Sequence, residues 1–311
     1  MRKITTSSIS RNKFIYFINV KQVDSLTCFF YLIQVKAIID LYLYSSLHIA
    51  LCALFLTWST YLLTYIEVDW NYIVFMSSST WLLYSLHRII GIYKVSESRI
   101  ENRFFVIRKF RKHLIVYASI ASSISLYTYL SLSPSMKLWL VVPIGLSLLY
   151  IAPLFLGQKR LRDFHYIKIF LVASCWALLC GTFPMLEAQL SNYELLLFSV
   201  EKFLFIFAIT LPFDLRDIEV DRDSGLKTLA HLLPQHLSYG ILVSFILSAL
   251  LVLVNPLYNS EQKIVLIITY LALELITRFS SRQKNDYFYS GIIDGTMILF
   301  FIIVWIFQNG I

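Results

Sequence analysis

Apolar residues in this chain come in long runs, without the alternation of a half-buried strand. Nine such runs lie near residues 43–66, 71–92, 114–132, 137–156, 167–186, 193–213, 238–255, 262–279 and 289–308. Each holds roughly 17 to 25 mostly apolar residues, about what one helix needs to cross a hydrocarbon core. A bilayer offers backbone polar groups no partners, so runs without strand alternation are expected to be helices. The pattern predicts an all-α polytopic membrane protein with nine transmembrane helices over residues 43–308. Residues 1–42 form a basic tail ahead of them, and its Leu26–Ile39 stretch, broken by Gln34 and Lys36, suits a helix lying in the membrane interface. No compact apolar run followed by a small-residue cleavage site marks a signal peptide between Met1 and Lys36.

Composition agrees with the pattern. Of 311 residues, 58% are hydrophobic and 15% charged, far from the balance of a soluble domain. The net charge of +8 does not point to nucleic acid, because the cations gather in short loops between apolar runs. Arg99, Arg103, Arg108 and Lys109 lie between the second and third runs, Lys159, Arg160, Arg162 and Lys168 between the fourth and fifth, and Arg278, Arg282 and Lys284 between the eighth and ninth. By the positive-inside rule these loops are cytoplasmic, the N-terminus with them, and the C-terminus lies on the far side. The plasma membrane of a prokaryote is the expected location. Cys28, Cys52, Cys175 and Cys180 sit inside apolar runs with no ligand spacing and read as small buried hydrophobes.

One charged stretch interrupts this pattern: Asp214, Asp217, Glu219, Asp221 and Asp223 follow the apolar run Phe203–Phe213 directly. On a continuous helix, Asp214, Asp217 and Asp221 stand within roughly 60° of one another, with Arg216, Glu219 and Asp223 on the opposite face. Three like charges on one stripe repel unless a cation sits among them, and a hard divalent ion such as Mg²⁺ suits oxygen ligands. Mg²⁺ is usually held with a substrate's phosphates, so a phosphorylated, anionic substrate is the next expectation. A solvated acidic loop is the competing reading. A calcium loop is excluded, since the third ligand before Gly225 and the Glu six residues after it are missing.

The Asp214-x-x-Asp217-x-x-x-Asp221 spacing, followed by Arg222, Gly225, Lys227, Thr228 and Leu229, resembles the second aspartate motif of the UbiA superfamily of membrane prenyltransferases. Tyr150, Pro153, Lys159, Arg160 and the helix Tyr166–Pro184 resemble that family's fourth and fifth helices and their basic connection. The resemblance implies a UbiA-like helical bundle around a central cavity, where Mg²⁺ on Asp214, Asp217 and Asp221 holds an isoprenoid diphosphate. The prenyl group would pass to an aromatic or other lipophilic acceptor. Arg88, Lys159, Arg160, Arg222 and Lys227 would supply direct cationic contacts to the diphosphate.

The chain departs from the family where the second helix should end in a first aspartate motif. It reads Thr80-Trp-Leu-Leu-Tyr84-Ser-Leu-His87-Arg88 there, without a carboxylate. His87 and Arg88 face the aspartates in this reading, with Arg88 either gripping diphosphate or pairing with Asp214 or Asp217 and neutralising the site. The second case would make the chain a non-catalytic UbiA-like membrane protein that binds lipid or acts as a scaffold. Asp294, about one turn into the ninth run, is a further candidate for substrate contact. Glu274 pairs with Arg278 at i,i+4, and Glu201 with Lys202 pair or snorkel. A transporter is disfavoured because no internal repeat is visible.

Overall fold

The computed structural model describes residues 34–92, 107–152, 160–186, 190–280 and 285–310. The basic tail up to residue 33, the 93–106 connection and Lys159 therefore lie outside the described residues. The chain divides at Tyr42 into two units, and in the first of them residues 34–42 are helical. The second unit carries the candidate chemistry.

Long helices occupy each of the nine apolar runs: α1 Leu47–Thr64, α2 Trp70–Ile92, α3 Arg111–Ser131, α4 Pro134–Ile151, α5 Ile167–Leu186, α6 Asn192–Arg216, α7 Leu237–Val254, α8 Ser260–Arg278 and α9 Phe288–Gly310. Seven of them are long and apolar enough to cross a membrane; α2 and α8 are the two that fall short. α2 carries His87, Arg88 and a run of hydroxyls, and the hydroxyls spend their hydrogen bonds on helix carbonyls. Ser78 Oγ donates to the Val74 carbonyl at 2.8 Å, Ser79 Oγ to Met76 at 3.2 Å and Ser77 Oγ to Ala50 of α1 at 3.0 Å. A hydroxyl bonded to backbone loses most of its cost in an apolar medium. The lipid-facing character is plainest on α3, α4 and α7, where Leu126, Tyr127, Leu130, Leu138, Val142 and Tyr239 are exposed.

Helix starts follow local chemistry. Ser191 and Glu194 cap α6 reciprocally, Asn259 and Gln262 do the same for α8, and Ser133 with Pro134 opens α4. Each helix packs on a neighbour in chain order from α5 to α9, α1 packs on α2, and α9 returns to α1 to close a ring. Polar ties mark two ends of this ring. At one end Gln262 of α8 donates to the Leu63 carbonyl at 3.0 Å, Gln308 of α9 to Leu62, and Tyr72 of α2 to Leu179 at 2.6 Å. At the other, a His48 ring nitrogen lies 3.1 Å from the Gly291 carbonyl and Arg88 donates to Leu43 at 2.8 Å.

Toward this second end, Ile49, Tyr84, Val172, Trp176, Phe213, Asp294 and Met297 are among the residues lining a cavity of about 20 Å³. That volume suits a single water-sized occupant and requires widening for anything larger. Two helices change pitch at this ring: α5 contains a π turn at Ala177–Thr182, and α9 opens with one at Phe288–Ile293, ending where Asp294 begins.

Candidate active site

The acidic stretch folds differently from one continuous helix. α6 ends at Arg216, Asp217 caps it with φ −89° and ψ 4°, and the chain restarts as the short helix Ile218–Asp223. The Asp217 amide still donates to the Phe213 carbonyl at 2.9 Å, and its own carbonyl accepts from the Asp221 amide at 2.8 Å. Asp214 and Asp221 are buried, 2% and 5% exposed, and both face the Lys168 ammonium on the first turn of α5. Lys168 Nζ lies 3.0 Å from Asp214 Oδ1 and 3.2 Å from Asp221 Oδ2.

Asp217 is gripped by its neighbour. Arg216 Nε donates to Asp217 Oδ1 at 2.8 Å and Nη2 to Oδ2 at 3.1 Å, a bidentate grip. The same guanidinium lies 3.8 Å from Asp286 and stacks 4.9 Å from the Phe213 ring centroid. Arg216 was expected on the face opposite the aspartates; the break at Asp217 and the length of its side chain bring it back to them. Among the described residues no group of three His, Cys, Asp or Glu side chains converges as a metal ligand set.

Facing them, α2 delivers its cation elsewhere than expected. Arg88 donates to the Leu43 carbonyl and lies 5.8 Å from the Tyr44 ring, so the cation that pairs with Asp214 and Asp221 is Lys168 and not Arg88. His87 meets Arg162, whose Nη1 approaches His87 Nε2 at 2.6 Å. An arginine only donates, so Nε2 accepts and the imidazole proton sits on Nδ1. Arg162 also lies 5.4 Å from the Tyr150 ring centroid, and its buried Nε makes no hydrogen bond. Burial opposes its charge, but Tyr150 and the carboxylates of Asp217, Asp221 and Asp163 outweigh burial and hold its pKa above the ordinary arginine value.

The remaining expected contacts divide. Arg160 spends its donors on Asp163, with Nη2 to Oδ1 at 2.8 Å. Arg222 and Lys227 are exposed. Lys227 contributes through its backbone: its amide donates to His165 Nδ1 at 3.0 Å and its carbonyl accepts from the Tyr166 amide at 3.0 Å. Gly225, at φ +73°, turns the chain from the acidic helix toward this contact, in the left-handed region where side chains are disfavoured. Asp294 lines the cavity, and its carbonyl accepts from Cys52 Sγ at 3.2 Å. Lys168, Arg162 and Arg216 thus join the site, although in the sequence the first two read only as loop cations.

No family model and no curated protein matches the sequence. Solved structures do match. A UbiA homologue from Archaeoglobus fulgidus bound to GPP and Mg²⁺ superposes with a TM-score of 0.60 at 12% identity, over 86% of this chain and 99% of that one. The chain has the UbiA fold. A UbiA homologue from Aeropyrum pernix K1 in its apo form gives a TM-score of 0.55 at 15% identity, over 81% of this chain and 97% of its own. A structure of digeranylgeranylglyceryl phosphate synthase gives 0.54 at 11%, over 87% and 96%. This fold, together with seven helices long and apolar enough to cross a membrane, makes the chain an integral membrane protein.

Within this UbiA fold the residues present do not fit a two-metal site. Mg²⁺ requires a near-octahedral oxygen shell at about 2.0–2.1 Å. Here one oxygen each of Asp214 and Asp221 faces Lys168, both Asp217 oxygens are held by Arg216, and the stretch of α2 from Tyr84 to Arg88 offers no carboxylate.

Proposed function

We propose that this chain is a UbiA-superfamily membrane protein that binds an isoprenoid diphosphate and transfers its prenyl group to an aromatic or other lipophilic acceptor. The observation that carries this is the junction of two environments at one end of the UbiA ring. Lys168, Arg162 and Arg216 gather around the aspartates there, next to an apolar cavity walled by Tyr84, Trp176, Phe213 and Met297. The head of the substrate would meet cations while its allylic carbon lies against aromatic and aliphatic walls that exclude water from a carbocation-like centre. Arg162 is the best placed to hold phosphate oxygens, because its Nε is a buried donor without a partner. Arg88 stands on the facing helix, able to exchange a backbone carbonyl for an anion. Prenyl transfer breaks the C–O bond to diphosphate, and the negative charge left on pyrophosphate is what these cations meet.

The Lys168 bridge favours a second reading, in which the same bundle binds a lipid without turning it over. One experiment separates them. Purified protein in nanodiscs is expected to bind labelled geranyl diphosphate, with Arg162→Ala weakening binding at least about tenfold, the effect of losing one charge-assisted contact. Glu219→Ala, exposed on the other side of the acidic helix, is expected to leave binding unchanged. Pyrophosphate released when membrane lipid extract is added marks the transferase, binding without release marks the non-catalytic relative, and no binding sinks both.

A further inference from the structure

We propose that the Lys168 ammonium takes the place of a divalent metal between Asp214 and Asp221 as their permanent counter-ion. The inference concerns the site proposed above and rests on that reading only for the identity of the anionic ligand. Two buried carboxylates facing one point need positive charge, because burial and mutual repulsion both act against ionising the second. A divalent ion could supply it, but the nitrogen of Lys168 lies 3.0 Å and 3.2 Å from the two carboxylates. A metal bound to the same oxygens would have to displace that ammonium. An ammonium has three N–H groups, so two carboxylates leave it one for an incoming anion.

The arrangement is built into the fold. Lys168 is the second residue of α5, and the turn before it is stitched to the loop after the acidic helix by two hydrogen bonds in opposite directions. The Lys227 amide donates to His165 Nδ1 and the Tyr166 amide donates to the Lys227 carbonyl, both at 3.0 Å. Tyr166, at φ 64° and ψ −16°, directs the chain into α5 so that the lysine lies over both aspartates. The rest of the metal's shell is absent from the same place. Asp217 is held by Arg216, and α2 brings His87, with Arg162 on its ring, and Arg88. The loss of the first aspartate motif and the Lys168 bridge are then two halves of one change, in which fixed cations replace bound ones.

The test needs no turnover. Thermal unfolding of the full chain in detergent is measured in excess EDTA and in excess Mg²⁺, for wild type, Lys168→Met and the double variant Lys168→Met with Asp221→Asn. Wild type is expected to unfold at the same temperature in both buffers. Lys168→Met is expected to lose stability in EDTA and to regain roughly 3–5 °C with Mg²⁺, as the vacated carboxylates take the ion. If Lys168→Met fails to fold, the double variant decides, since removal of one carboxylate is expected to restore folding in EDTA. A wild type that Mg²⁺ stabilises, or a Lys168→Met protein as stable as wild type in EDTA, overturns the inference. Geranyl diphosphate added to wild type separates this from the proposed function. Binding that requires Mg²⁺ overturns the lysine's role and leaves the function standing; no binding in either buffer, with unfolding indifferent to metal and Lys168→Met behaving as expected, overturns the function and supports the lysine's role.

Discussion

A charge inside an apolar helix ring persists only with its partners around it, and Glu201 with Lys202 shows how completely that can be met. Both are buried in α6. Glu201 Oε1 accepts from Lys202 Nζ at 2.9 Å and from the Tyr270 hydroxyl, and Oε2 accepts from the Tyr258 hydroxyl at 2.7 Å. The ammonium also lies 4.4 Å from the Phe300 ring centroid and 4.8 Å from that of Phe198, where the ring faces attract a cation. Lys202 therefore pairs and does not snorkel. Breaking such a pair from one side is costly because the other charge stays buried, so Glu201→Gln is expected to cost about 3–5 kcal/mol in denaturant unfolding. Replacing both together by Gln and Met is expected to recover most of that loss; a double variant no better than the single would show that packing, not charge, is the cause. Adjacent opposite charges in a span made this pair legible in the sequence. The Lys168 bridge was not, since nothing local links a residue at the start of α5 to carboxylates at 214 and 221, and its cation was counted with the loop charges.

At the scale of elements, hydropathy located the helices to within a few residues, because crossing length and apolarity are properties of each segment alone. What it missed are the irregularities, and these position the site. The stretch Asp214-Leu-Arg-Asp217 holds no Gly or Pro, so a continuous helix was the natural reading. The break at Asp217 comes instead from tertiary partners, with Asp214 and Asp221 drawn to Lys168 and Asp217 to Arg216. The π turns in α5 and α9 are invisible for the same reason. One of them places Gly181 against α6, where an added Cβ would meet Lys202 Cγ at 3.2 Å. Gly225 was legible as part of the motif, and its reason is now physical: at φ +73° it turns the acidic helix toward His165 and Tyr166. Gly225→Ala is expected to cost about 1–2 kcal/mol, the strain of a side chain in the left-handed region. Hydrogen exchange checks this locally, with faster exchange expected at the Lys227 and Tyr166 amides and unchanged protection in the middle of α6. Protection at those amides unchanged from wild type would show that the loop contact contributes nothing.

At the scale of the molecule, the polar ties sort the helix ends into two sets, and the sorting fixes what topology must be. The end of α6 and the start of α5 meet at Lys168, and the start of α1 meets the start of α9 through His48 and Gly291. At the other pole the end of α1 meets the end of α9 through Gln308 and the start of α8 through Gln262. Between Glu219, beside the site, and Asn309, at the end of α9, the chain therefore passes along α7, α8 and α9, an odd number of passages. The weak link is α8, which falls short in apolarity because Glu261, Gln262 and Lys263 lie at one end and Glu274 and Arg278 at the other. Its charges sit at the ends: Glu274 is tied to Arg278 Nε at 2.6 Å, Lys263 Nζ donates to the Leu253 carbonyl at 2.9 Å, and the apolar residues from Ile264 to Leu273 lie between. Nineteen residues span about 28 Å as a helix, close to the hydrocarbon thickness, so α8 is expected to cross. Cysteines introduced at Glu219 and Asn309, both exposed, in a chain with its own cysteines replaced, test this with an impermeant thiol reagent. Among the described residues the cations of the connection into α5, Arg160, Arg162 and Lys168, lie at the site, so by the positive-inside rule Glu219→Cys is expected to react only from the cytoplasm and Asn309→Cys only from the opposite face. Reaction of both from one side would mean that α8 stays on a single face, and the ring in which α8 joins α7 to α9 would not span a membrane.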